Sequence, residues 1–203
     1  MDGRMTRNRP VDQEEDQAWI LASQNGDTSA FSHLVLKWEK TVFNIAFRML
    51  QNPEEAEEAA QEIFLLAFRS IRRFRNASKF STWIYRIALN HCLTCVRNRP
   101  PGVYHSIDDR NFAPHRIAEL QISGTPDRAM LHSERAAKVS AALLLLQPEQ
   151  QAVIELKFFQ EMTFEEIAEV LETPLSTIKS RLYTGLEMLK TRLGNGFIAG
   201  RRD

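Results

Sequence analysis

From Asp16 to Val96 the apolar residues recur at helical spacing, and three short interruptions divide the pattern. Trp19 and Ile20 begin it. Phe31, Leu34, Val35, Trp38, Val42, Ile45, Ala46 and Met49 follow, then Ile63, Phe64, Ala67, Phe68 and Ile71, and last Trp83, Ile84, Ile87, Ala88, Leu89 and Val96. The interruptions carry helix-boundary chemistry. Asn25-Gly26-Asp27 breaks the first run, and Asp27 or Thr28 can cap the next helix. Asn52 is a second cap, with Pro53 at the first helical position, where a missing N–H costs nothing. After the break at Arg75-Asn76-Ala77-Ser78, Ser81 or Thr82 can cap a further helix, which Arg99-Pro100-Pro101-Gly102 stops. No segment alternates as a strand would.

Residues 101–126 show no sustained periodicity and read as a linker. A second helical unit begins near Asp127. Ala136, Val139, Ala142, Leu143 and Leu146 line one helix, and Gln147-Pro148-Glu149 opens another carrying Val153, Ile154, Leu156 and Phe158. Thr163-Phe-Glu-Glu166 is a capping box, opening a short helix with Ile167, Ala168 and Leu171. After Glu172-Thr173-Pro174, a helix places Ile178, Leu182, Leu186 and Leu189 inside, with Lys179, Arg181, Lys190 and Arg192 outside. Gly194 is a stop. The expectation is an all-α chain of two small domains, 16–100 and 127–193, moving independently about a flexible linker, with loose tails at 1–15 and 194–203.

Charge is distributed unevenly. Ile63 to Ile107 holds eight Arg or Lys residues and no Asp or Glu, in a chain with 26 acidic residues and zero formal net charge. Glu54, Glu55, Glu57, Glu58 and Glu62 lie just upstream. The helix dipole accounts for Glu54 and Glu55 but not for acid continuing to Glu62 and then ceasing. Phe64, Phe68, Phe74, Phe80, Trp83, Tyr85 and Tyr104 are threaded through the basic stretch. Cations interleaved with rings suit nucleic acid, since cations neutralise phosphates and rings stack on unpaired bases. A solvated basic face with its aromatics in the core would give the same pattern.

Residues 163–193 have the layout of a helix-turn-helix, with an acidic first helix (Glu165, Glu166, Glu169) and a basic second one. Only the second could enter a groove lined with phosphates. Ser176, Thr177, Lys179, Ser180, Arg181 and Tyr183 occupy the N-terminal half that reaches base edges. Cys92-Leu-Thr-Cys95 puts two thiols on one helix face, but only His91 is near them and structural zinc needs four ligands. Buried small apolar positions are the better reading, and no metal or other cofactor is assigned.

Ala60-Gln-Glu-Ile-Phe-Leu-Leu-Ala-Phe-Arg69, Phe74-Arg-Asn-Ala-Ser-Lys-Phe-Ser-Thr-Trp83 and Ile84-Tyr-Arg-Ile-Ala-Leu-Asn90 closely resemble region 2 of extracytoplasmic-function sigma factors. Phe164-Glu-Glu-Ile-Ala168 and Ser176-Thr-Ile-Lys-Ser-Arg-Leu182 resemble region 4 of the same family. The resemblance implies an alternative sigma factor that binds core RNA polymerase through the β′ clamp helices and the β flap. It would recognise promoter DNA, melt the −10 element and initiate transcription, under the control of an anti-sigma factor. Gln61, Glu62, Phe64 and Arg69 would then dock on the polymerase. Phe74, Arg75, Asn76, Ser78, Lys79 and Phe80 match the loop that captures a flipped −10 base, with Thr82, Trp83, Arg86 and Asn90 along the melted strand. Ser176, Thr177, Lys179, Ser180, Arg181 and Tyr183 would read the −35 element. The chain departs from the pattern at Glu172, where relatives often have Gly. It departs again at Thr184 and Leu186, often basic in relatives, and at Leu93 and Cys95, commonly polar.

Two other functions fit part of the sequence. One is a sigma-like mimic that sequesters an anti-sigma factor, although such mimics usually carry a receiver domain. The other is a helix-turn-helix repressor, whose dimer would protect a palindrome. An enzyme is disfavoured, since no nucleophile–base set, P-loop or metal cluster is present. No apolar run is long enough to span a bilayer, the charged N-terminus lacks a signal-peptide core, and two cysteines make no disulfide framework. The expected location is the cytoplasm.

Overall fold

The structure is a computed structural model that describes residues 10–75, 78–99, 139 and 141–193. The linker 101–126, both ends of the chain, Asn76 and Ala77 lie outside the described residues. Seven α-helices are described: α1 (Pro10–Gln24), α2 (Thr28–Leu50), α3 (Pro53–Ser70), α4 (Phe80–Asn98), α5 (Pro148–Ile154), α6 (Phe164–Leu171) and α7 (Leu175–Leu193). A 3-10 turn (Ile71–Arg73) follows α3, and a π-helical turn (Glu155–Phe159) follows α5. No strand occurs among the described residues. No described helix is long and apolar enough to cross a membrane.

Local chemistry sets most boundaries. The Asp27 carboxylate accepts from the backbone N–H groups of Ser29 (2.9 Å) and Ala30 (3.2 Å), which starts α2. Asn52 Oδ1 accepts from Glu54 and Glu55 at 2.8 and 3.1 Å, with Pro53 opening α3. At α6 the Thr163 hydroxyl accepts from Glu166 N–H, and the Glu166 carboxylate accepts from Thr163 N–H at 3.0 Å. Two expected boundaries are corrected. Helix α1 begins at Pro10, inside the segment read as a loose tail, because proline's fixed φ suits a first helical position. Helix α4 begins at Phe80 without a side-chain cap, so Ser81 and Thr82 lie within its first turn.

The first unit packs α2 against α1, α3 and α4. Leu34, Val42, Ile45, Met49, Ile63, Ile84 and Leu89 are buried between them. In the second unit α7 crosses α5 at Gly185, where an added Cβ would lie 3.1 Å from Ile154 Cδ1. Ala168, the small residue expected at a close crossing, is only half-buried.

The two units are in contact in this structure. Helix α4 lies against α5 and α6, and α2 against α5. The contact joins opposite charges across a shared apolar cluster. Acid-free α4 and the end of α2 meet glutamates of the second unit.

Candidate nucleic-acid interface

Phe74, Phe80 and Trp83 form a triangle of rings with centroids 5.1–6.0 Å apart, and Trp38 and Tyr85 extend it from Phe80. Phe74 and Phe80 are each 7% exposed and Thr82 is 3% exposed. These three expected DNA contacts therefore face inward here. Phe80 packs on the ring of Trp38 from α2, and Phe74 packs on Phe80 and Trp83. Trp83 is half-buried, whereas Arg75, Lys79 and Asn90 are exposed and Ser78 is half-buried. Asn76 lies outside the described residues. The Gln24 amide of α1 donates to the carbonyls of Ile71 (3.1 Å) and Phe74 (2.6 Å), fastening the start of the loop. A side chain 50 positions upstream leaves no local signal in the sequence.

The basic stretch divides by partner. Arg69, Arg72, Arg73 and Arg75 are exposed around the 3-10 turn. Arg99 binds the Leu50 carbonyl (2.9 Å) and the Glu55 carboxylate. Among the described residues, four other cations of the first unit reach the second: Arg48 to Glu155 (2.6 Å), Lys79 to Glu166 (3.3 Å), Arg86 to Glu172 (2.9 Å) and Arg97 to Glu149 (2.6 Å). Arg86 also donates to the Glu169 carbonyl at 2.7 Å. Glu166 is held below the ordinary carboxylate range, first by the Thr163 backbone N–H and further by Lys79. Glu149 is lowered chiefly by its bond from Arg97.

On α7, Ser176, Lys179, Ser180 and Tyr183 are exposed, while Thr177 and Arg181 are half-buried. Together they make one polar face on the second helix of the helix-turn-helix. The turn before it places Glu172 at φ +48°, a left-handed conformation that glycine adopts freely and other residues adopt at a cost. Of the residues expected to dock on a protein partner, Gln61, Glu62 and Arg69 are exposed and Phe64 is half-buried. The structure adds Leu65, Leu66 and Phe68, which are 39–45% exposed on α3. Periodicity assigns Phe68 to the core. Its ring touches Phe31 (5.1 Å between centroids) yet stays open to solvent, making an apolar patch that periodicity alone does not separate from the core.

Cys92 is fully buried, and burial chiefly pushes its thiol up to about 12. Cys95 is half-exposed, 3.5 Å from the His91 ring, and is also raised, again mostly by burial. A raised thiol has little thiolate at neutral pH, and the thiolate is the nucleophile. In native protein at pH 7.5, iodoacetamide should leave Cys92 unmodified and label Cys95 slowly, as read by mass spectrometry. Rapid labelling of Cys92 would contradict its placement.

Comparison with known proteins agrees with this arrangement. Residues 34–99 match the Sigma-70 region 2 family, and residues 136–189 match Sigma-70, region 4. RNA polymerase sigma-H factor of Pseudomonas aeruginosa is 33% identical over 186 residues, covering 89% of this chain and 95% of the relative. ECF RNA polymerase sigma factor SigW of Bacillus subtilis is 32% identical over 176 residues, covering 86% and 94%. The fold is similar to CnrH, solved in complex with the cytosolic domain of CnrY, with TM-score 0.62, 22% identity and coverage of 88% of this chain and 97% of CnrH. It is also similar to sigma factor RpoE of Bartonella quintana, solved with the anti-sigma factor NepR, with TM-score 0.58, 18% identity and coverage of 85% and 98%. With both regions matched in order, and relatives aligned over nearly their whole length, the chain belongs to the sigma-70 family of transcription initiation factors, in its extracytoplasmic-function group.

Proposed function

We propose that this protein acts in the cytoplasm as an alternative sigma factor, with promoter and polymerase contacts divided among three surfaces. The observation that carries the reading is the pairing of an acid-free basic α4 with a separate helix-turn-helix, both within one family match. The α3 surface docks on the β′ clamp helices: Gln61, Glu62 and Arg69 supply polar contacts, and Phe64 supplies apolar area together with the exposed Leu65, Leu66 and Phe68. The loop from Phe74 to Phe80 captures a flipped −10 base. Asn76 and Ser78 offer hydrogen bonds to its edge, and Arg75 and Lys79 neutralise phosphates. Phe74, Phe80 and Thr82 act from beneath as the packed floor of that loop, and Trp83, Arg86 and Asn90 follow the strand. The polar face of α7, from Ser176 to Tyr183, reads the −35 element, while the second unit also meets the β flap. The similar sigma factor RpoE, solved with an anti-sigma factor, supports an anti-sigma factor as the regulator here.

Run-off transcription with purified core polymerase on genomic promoter fragments tests the whole reading. Specific transcripts should appear only when this protein is added, and their absence on every fragment would overturn it. On a promoter so found, Lys179→Ala with Arg181→Ala should weaken −35-dependent initiation at least tenfold without altering core binding. The salt slope of promoter binding should lessen by about one for each phosphate that is no longer neutralised. Unchanged initiation would remove α7 from the −35 site.

A further inference from the structure

The base-capture loop assigned above leaves the 3-10 turn at Phe74, and its first peptide is held by a residue of α1. The Gln24 amide nitrogen lies 3.1 Å from the Ile71 carbonyl and 2.6 Å from the Phe74 carbonyl. Only the NH2 end of a glutamine carries two donors, so one hydrogen goes to each oxygen. Gln24 lies upstream of residues 34–99, the part matched to region 2. We propose that Gln24 is a positioning residue for −10 recognition. Its amide fixes the backbone from which the base-capture loop departs, and so sets base preference without touching DNA. This inference rests on the assignment of that loop.

Phe74 is held from two sides. Its ring packs on Phe80 and Trp83, with centroids 6.0 and 5.1 Å away. Its backbone has left the 3-10 winding (φ −68°, ψ 114°), and its carbonyl accepts from Gln24. The Ile71 carbonyl accepts from the Phe74 N–H at 3.0 Å, and Gln24 adds a second bond there. One NH2 group therefore ties both ends of a single turn and fixes the direction in which the chain leaves it. Rings alone would hold the Phe74 side chain while its peptide stayed free to rotate. The amide removes that freedom.

Helix α1 is itself seated well enough to serve as the reference. Lys37 of α2 meets Asp16 at 2.7 Å, and the Trp19 ring stacks on His33 at 5.2 Å. Beyond Gln24, Gly26 takes φ +98°, a conformation that glycine adopts freely. The Asp27 N–H then returns to the Ala22 carbonyl at 3.0 Å. The chain reverses within three residues, which leaves Gln24 at the helix end that packs on the 3-10 turn. At the far end of the loop, Phe80 packs on Trp38. The two ends are thus referenced to different helices, to α1 by hydrogen bonds and to α2 by rings.

The test uses the full chain with Gln24→Met, which keeps the shape and removes both donors. Gln24→Glu, a second variant, turns carboxylate oxygens toward the two carbonyls. Gln24→Lys is the rescue, since an ammonium can donate to both. The first readout is amide hydrogen exchange of the free protein, followed by mass spectrometry. The second is holoenzyme binding to a promoter identified by run-off, with its −10 element already unpaired. Each of the four bases is placed in turn at the position where substitution weakens the wild-type complex most. Gln24→Met and Gln24→Glu should speed exchange around Phe74 by about threefold or more, leaving α3 and α4 unchanged. They should cut the base preference by about three- to tenfold, the range for a lost backbone hydrogen bond. Gln24→Lys should keep both near wild type. A preference is a ratio between templates, so a uniform change in phosphate attraction cancels from it. Binding to core polymerase and to −35 duplex should be unchanged throughout.

Wild-type preference in Gln24→Met and Gln24→Glu, or an equal loss in Gln24→Lys, would overturn the proposal. So would a loss matched by equal losses in core and −35 binding, the sign of general loosening. Failure of the function reading is separate. Run-off would then yield no specific transcript with the wild-type protein, which would remove the role in base preference while exchange still reported the fastening.

Discussion

Glu155→Ala should lower the unfolding free energy of the full chain by about 3 kcal/mol, the low end of what breaking a buried ion pair costs. Glu155 is 2% exposed, and its carboxylate accepts both bonds from Arg48 and one from the Gln160 amide at 3.0 Å. Truncation strands the Arg48 guanidinium, whose side chain is only 17% exposed, between Phe159 and a vacated site. Solvent reaching Arg48 from its open side keeps the loss near that lower figure. The double variant Arg48→Met with Glu155→Met removes both charges and replaces them with apolar volume. It should recover most of the loss, because the desolvation of two ions disappears with their attraction. Urea unfolding of the three proteins checks this. A single variant losing less than about 1 kcal/mol would place the pair among ordinary surface pairs.

Gly185→Val should destabilise the second unit by about 1–3 kcal/mol, as overpacking does, and abolish −35-dependent initiation at the temperature where that unit melts. At Gly185 a Cβ would stand 3.1 Å from Ile154 Cδ1 and 3.5 Å from Gln150 Cβ. The first neighbour is the end of a flexible side chain and can yield a few tenths of an ångström. Alanine should therefore be close to neutral, its crowding offset by the roughly 1 kcal/mol that it gains over glycine inside a helix. Valine adds two branches toward Gln150 and Leu146 and pushes α7 off α5. Thermal melts of both variants, with run-off from a −35-dependent promoter, separate the outcomes. Equal stability of the alanine and valine proteins would remove the close crossing.

Helix positions were legible where the signal was local. Asp27, Asn52-Pro53 and the Thr163–Glu166 box each fix a boundary through atoms within three residues, so sequence spacing states them directly. The start of α4 was less legible because Phe80 is held by rings from α2 and by Phe74 rather than by a cap. Within the candidate site, charge singled out particular helices but could not sort ring roles. Phe80 is buried against Trp38, 42 residues upstream, and Phe74 against Phe80 and Trp83. Contact between the units was illegible for the same reason: Lys79 and Glu166 are 87 positions apart, and Arg48 and Glu155 are 107 apart. Gly185 carried no signature, being one glycine in an otherwise ordinary helix. Its role follows only from what α5 places opposite.

The π-helical turn at Glu155–Phe159 has a consequence for how length variation in this region is to be understood. Gln160 N–H bonds back five residues to Glu155 at 3.2 Å, so the turn holds one residue more than an α-helical bond would span. Removing a residue there could restore ordinary winding while α5 and the strand of chain before α6 keep their places. Side chains within the turn would shift in facing by up to about 100°, the angle one residue subtends in an α-helix, while those on either side keep theirs. A relative one residue shorter at this point would therefore share the topology while presenting different side chains to α2. A gap in that column would mark a change of helical winding and, with it, a change in which acid can face a guanidinium at position 48.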